Sequence, residues 1–137
     1  MTISKYISNL LKENKGIEVD TEHVSEGSDQ YGLFKSPGRN TRELIDGSYE
    51  ITEHYQFLAR QSANSLEERK EADEWLEELA YWADDFTAYC EFPSIDGNRR
   101  VTGLSITGSP YPMESDNRNI LYQMSLSITY EREREDL

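Results

Sequence analysis

Cysteine is nearly absent from this sequence, since Cys90 is the only one among 137 residues. A single cysteine cannot form an intrachain disulfide, and it leaves no thiolate pair for zinc binding or redox chemistry. A Cys–His nucleophile would need the imidazole of His23 or His54 beside Cys90, and no motif around these residues favours that arrangement. We therefore expect Cys90 to be a small packed side chain.

Long apolar runs and catalytic motifs are also missing. No stretch approaches the length of a membrane span, and segment 1–16 has too few consecutive apolar residues for a signal peptide, which predicts a soluble protein made in the cytosol without a membrane partner. The sequence contains no Walker-type lysine, GxGxxG, HExxH or EF-hand motif, and no carboxylate isolated within an apolar run. We predict no metal, no cofactor and no enzymatic activity.

Positive charge is scarce, because 14 basic residues face 27 acidic ones and the formal net charge is −13. This excess repels phosphate and argues against direct binding to nucleic acid. It fits docking to a basic partner, mimicry of DNA, or a passage through which DNA must slide without adhering.

Enough apolar residues are present for one core, since 36% of the chain is hydrophobic. The N-terminal residues follow helical spacing over 2–14, with Gly16 as the expected C-cap. An edge strand over 17–24 and a short strand over 31–35 follow, and segment 36–47 is rich in turn formers and predicts a loop.

The second half of the chain has stronger patterns. Residues 49–60 alternate as a long strand with one buried face, broken only by Glu53. Ser65 and Glu68 have the spacing of a capping box and predict the start of a helix over 66–86. A strand over 101–107 with a bulge at Gly103, a loop over 108–117 and a clear strand over 120–130 complete the chain.

These elements predict an α+β fold with a single largely antiparallel or mixed sheet of about four to five strands. The long helix packs across one face, and a short helix lies at the N-terminus. We expect one domain over 1–130 and a charged tail over 131–137.

Six charged residues are candidates for an interface with a neighbouring subunit or another partner protein. They belong to two basic spots and to the acidic outer face of the long helix: Arg39, Arg42, Arg99, Arg100, Glu74 and Glu78. The simplest interpretation is that such charges keep the protein in solution. The more specific one is that a basic loop, within 36–47, pairs with the acidic helix of a neighbouring subunit.

The order of elements and several segments resemble the small tail-terminator proteins of long-tailed bacteriophages, also called minor capsid or tail-completion proteins. The resemblance covers most of the chain and rests on the N-terminal helix and on Ile45-Asp46-Gly47-Ser48-Tyr49, Glu74-Trp75-Leu76-Glu77-Glu78-Leu79-Ala80-Tyr81-Trp82, Leu121-Tyr122-Gln123-Met124 and Thr129-Tyr130. It implies a virion subunit that forms a hexameric ring at the head–tail junction. The ring would cap the tail tube protein, dock onto the head connector or stopper protein, and let DNA pass through its centre.

Three other functions remain open. An acidic monomeric inhibitor, either a DNA mimic or an immunity-type protein, would explain the charge equally well. Another neck or connector component of the virion, such as a stopper or a tail-completion protein of different fold, would be distinguished only by whether it binds the tube or the connector. An enzyme would have to use a site without recognisable spacing.

Overall fold

The computed structural model describes residues 1–22, 24, 29–115 and 118–133, and of residues 108–115 it describes only the backbone. The elements are α1 (Ile3–Lys15), β1 (Val19–Asp20), β2 (Gln30–Glu43), β3 (Tyr49–Ser62), α2 (Leu66–Tyr89), β4 (Arg99–Ser115) and β5 (Asn119–Arg132). They form a five-stranded sheet in the order β1-β2-β3-β5-β4, which curls into a half-barrel. The β1–β2 pair is parallel and the other pairs are antiparallel, so the predicted α+β fold is confirmed and its sheet is mixed.

Helix α1 begins and ends where local chemistry predicts. The Thr2 hydroxyl accepts a hydrogen bond from the Lys5 N–H at 3.1 Å and caps the first turn. Gly16 ends the helix with a positive φ of 67°, a conformation that glycine adopts without strain. The apolar stripe of the helix is buried throughout: Ile3, Tyr6, Ile7, Leu10 and Leu11.

The predicted loop over 36–47 is wrong, because β2 continues to Glu43. Between Lys35 and Arg39 the strand advances by four residues while its partner β3 advances by two, from Tyr55 to Glu53. The turn formers in this stretch therefore produce a bulge, with Gly38 at φ 85°, after which pairing resumes. The reversal itself spans 44–48.

The predicted loop over 108–117 is also wrong for the backbone that is described. Strand β4 extends to Ser115, and three register shifts absorb its turn-forming residues, including the predicted bulge at Gly103. Strand β5 reaches Arg132, so the first two residues of the predicted tail belong to the sheet. Residues 134–137 lie outside the described residues.

Helix α2 begins at the predicted cap. The Glu68 N–H donates to the Ser65 hydroxyl at 3.1 Å, whereas the Glu68 carboxylate accepts from the Ser62 hydroxyl at 2.6 Å and the Asn64 N–H at 2.9 Å. The carboxylate therefore ties the end of β3 to the helix instead of closing a reciprocal box. The buried positions of α2 are Ala72, Leu76, Leu79, Ala83 and Phe86.

Both helices share one hydrophobic core with one side of the sheet. Helix α2 packs mainly against β4, and its Thr87 hydroxyl both donates to the Leu104 carbonyl at 2.8 Å and accepts from the Leu104 N–H at 3.0 Å. The opposite side of the sheet carries polar cross-strand pairs, with His54 Nδ1 2.9 Å from the Ser127 hydroxyl.

Candidate functional site

The six candidate residues lie in two separate regions. Glu74 and Glu78 are exposed on α2. The four arginines lie near one end of the sheet, because Arg42 is opposite Glu50 on β3, and Arg99 and Arg100 are opposite Arg132 and Glu131 on β5. Strands far apart in sequence are thus required to assemble the basic region.

Two of these arginines pair with carboxylates across adjacent strands. Arg42 Nη2 lies 3.0 Å from Glu50 Oε1, and Arg100 Nη2 lies 2.8 Å from Glu131 Oε2. Both arginines are largely exposed, so each ion pair stabilises the fold by at most about 1 kcal/mol. Their charges are already compensated within the chain.

Arg99 is held more firmly. Its guanidinium contacts the Asp96 carboxylate at 2.6 Å and 2.8 Å and donates to the Met1 carbonyl at 2.6 Å. The hydrogen bond from Arg99 holds the pKa of Asp96 below its usual range. Arg99 therefore links the N-terminus to the connection between α2 and β4.

A cleft of about 380 Å³ is lined by three arginines, Arg39, Arg99 and Arg132, together with Asp96, Asn98 and the buried Tyr130, and we call this site the arginine cleft. In the part of the chain that the structure describes, neither Arg39 nor Arg132 has an ion pair. Burial, together with the hydrogen bond to Glu53, raises the pKa of Tyr130 to about 12, while Arg39 and Arg99 oppose this rise. The arginines are close enough to the phenol for their charges to act on it.

Glu53 lies opposite Arg39 in the pairing of β2 with β3 and is buried, with 3% of its surface exposed. Glu53 shares the buried side of β3 with Ile51 and Tyr55, although no apolar run surrounds it in the sequence. Lys35 compensates its charge at 2.6 Å, and this contact raises the pKa of Lys35. In the sequence, this buried carboxylate is visible as the break in the alternation of β3.

Arg132 is the residue of the cleft that the sequence did not reveal. It lies in the segment expected to be a charged tail, and only the pairing of β5 with β4 places it opposite Arg99. No signal within segment 131–137 distinguishes Arg132 from a solvated charge.

The outer face of α2 carries a continuous row of exposed carboxylates. The helix has nine acidic and two basic residues. Five acids at helical spacing lie opposite the buried positions, and we call them the acidic stripe: Glu67, Glu71, Glu74, Glu78 and Asp85. The first four follow one another every three or four residues and Asp85 follows two turns later, so this helix surface has a single sign of charge.

The remaining nucleophilic and metal-binding candidates are dispersed. Cys90 is exposed at the end of α2, contrary to the expectation of a packed side chain, because it is the C-cap and its N–H donates to the Phe86 carbonyl at 2.9 Å. His54 bonds to Ser127, and His23 lies outside the described residues. Within residues 1–22, 24, 29–107 and 118–133, no three His, Cys, Asp or Glu side chains converge as metal ligands.

Neither a membrane-spanning helix nor a similar known protein adds to the description of the site. In the described ranges, no helix is both long enough and apolar enough to cross a bilayer. No protein-family model matches the chain, and no curated protein matches it.

Proposed function

We propose that this chain is a structural virion protein of the tail-terminator kind. It assembles into a ring, most simply a hexamer, that caps the tail tube of a long-tailed phage and joins it to the head connector or stopper protein. The proposal starts from the sequence resemblance described above. An α+β subunit with an N-terminal helix, which that resemblance implies, agrees with the fold.

The observation that carries the proposal is the separation of opposite charges on one chain. The arginine cleft lies at one end of the sheet, and the acidic stripe lies on the outer face of α2. Two different complementary patches favour head-to-tail association, which closes into a ring when the rotation between subunits permits.

The net charge agrees with a passage for DNA through the ring. At −13, the subunit repels phosphate, so a genome sliding past many copies is not retained. The DNA would therefore be a transient neighbour and not a ligand.

An acidic inhibitor is the second candidate, because the acidic stripe could dock onto one basic enzyme. Light scattering across a concentration series, with and without purified tail tubes, separates the two functions. We expect rings, or monomers that become bound at tube ends, and electron microscopy of the tubes identifies the bound end. A strict monomer that ignores tubes would contradict the terminator function and favour the inhibitor.

A further inference from the structure

We propose that the arginine cleft is a carboxylate-binding site whose ligand is the acidic stripe of a neighbouring copy of this chain. This inference rests on the proposed ring-forming function and specifies the contact through which the ring forms.

The cleft contains positive charge that the described part of the chain does not compensate. Arg99 and Arg132 are directly opposite on β4 and β5, an arrangement in which like charges destabilise a sheet. Asp96 compensates Arg99, whereas Arg39 and Arg132 have no carboxylate partner among the described residues. A bound oxyanion relieves this repulsion.

The geometry of the cleft favours a carboxylate. Guanidinium groups present paired N–H donors that match the two oxygens of a carboxylate. Arg99 is already fixed by Asp96 and by the Met1 carbonyl, so little side-chain freedom is lost when a ligand binds. Tyr130 is buried, with 4% of its surface exposed, so the arginines are the main recognition groups of the cleft.

The acidic stripe fits as the occupant. Successive carboxylates such as Glu74 and Glu78 are one helical turn apart, so two of them could enter a cleft lined by three guanidinium groups. Among the described residues, neither carboxylate forms an ion pair within its own chain. Because the stripe and the cleft are different patches, their contact is head-to-tail.

Charge reversal on each side of the contact tests the inference. The cleft variant is Arg39→Glu/Arg132→Glu, and the stripe variant is Glu74→Arg/Glu78→Arg. Each should raise the concentration needed for half-assembly by at least about 10-fold, which corresponds to the lower end of the measured couplings between close charge pairs. An equimolar mixture of the two variants should assemble again, because every cleft then meets a stripe of opposite sign.

Lys5→Glu/Lys15→Glu is the matched control. It changes the net charge as much as the cleft variant does but lies on α1. Circular dichroism and thermal unfolding establish that each variant is folded. We expect the control to assemble as the wild-type chain does.

The outcomes separate this inference from the proposed function. Wild-type rings that persist unchanged in both variants, or a mixture that fails to assemble, would overturn the inference alone. A wild-type chain that never assembles, with or without tubes, would overturn both. A short duplex DNA serves as the phosphate probe. If the wild-type chain binds it, the cleft variant does not, and rings form in both, the ligand of the cleft is phosphate and the inference is overturned.

Discussion

The Nζ atom of Lys35 lies 2.6 Å from Oε1 of Glu53, across the bulge in β2. The Glu53 side chain is 4% exposed and the Lys35 side chain 56% exposed, so a base at the surface compensates an acid in the core. Without that base, a carboxylate would remain charged among apolar neighbours or would have to be protonated.

Replacing Lys35 should therefore destabilise the fold. We expect Lys35→Met to lower the free energy of unfolding by about 1–3 kcal/mol, less than for a fully buried pair because solvent reaches the lysine. Urea denaturation measures the loss. In a Glu53→Gln background the same change should cost little, and an equal cost in both backgrounds would show that the pair is not the cause.

Two buried tyrosines predict alkaline destabilisation. Burial raises the pKa of Tyr6 and of Tyr130 from the usual 10.0 to about 12. The unfolded chain releases these protons near the lower value and the folded chain retains them, so this stability is complete below about pH 10 and is lost as the pH rises towards about 12. Urea denaturation at several pH values between about 8 and about 11 should show that the free energy of unfolding declines once the pH passes about 10. In Tyr130→Phe the decline should be smaller, and an unchanged slope would exclude Tyr130 as a source.

Thr87 makes a testable contribution at the edge of the sheet. Because its hydroxyl satisfies both the N–H and the carbonyl of Leu104, Thr87→Val should destabilise the fold by about 1–2 kcal/mol. Thr87→Ser keeps the hydroxyl and is the matched control in chemical denaturation. Because valine keeps the methyl group and loses only the hydroxyl, a loss in Thr87→Val no larger than that in Thr87→Ser would show that the two hydrogen bonds contribute little.

The bulge in β2 depends on the conformation of Gly38. Its φ of 85° is strained for residues with a Cβ, although a Cβ placed there would meet no atom within 4 Å. We expect Gly38→Ala to cost about 1 kcal/mol through backbone strain alone. Gly97→Ala, also in open space but without a positive φ, should be close to neutral in the same denaturation assay. If the two changes cost the same, the positive φ is not required.

The sequence predicts the elements whose own residues carry their pattern. Helix α1 has a regular apolar stripe and a glycine cap, helix α2 has its Ser65 cap, and β5 alternates along most of its length. The continuations of β2 and β4 could not be predicted, because their Pro and Gly residues indicate loops when read locally. Only pairing with distant strands converts those residues into bulges.

The candidate site could be predicted only in part, because strand pairing between distant segments brings its residues together. Arg39 and Arg99 were recognised as basic residues within a negative chain, but their joint position near Tyr130 depends on strand register. Arg132 needed the same register to be distinguished from a solvated charge. The acidic face of α2 was visible because helical periodicity is a local property.

The two edges of the sheet differ in what they offer to another extended chain. At Leu104 on β4, the helix side chain Thr87 occupies the backbone groups that a foreign strand would need. On the other edge, within the described residues, β1 covers only Tyr31 and Gly32 of β2. The bulge then divides the remaining edge into stretches 33–35 and 39–43, and Pro37 between them has no N–H to donate. Each stretch is too short to template a long cross-β stack, so the irregularity in β2 protects the chain from edge-to-edge fibril growth.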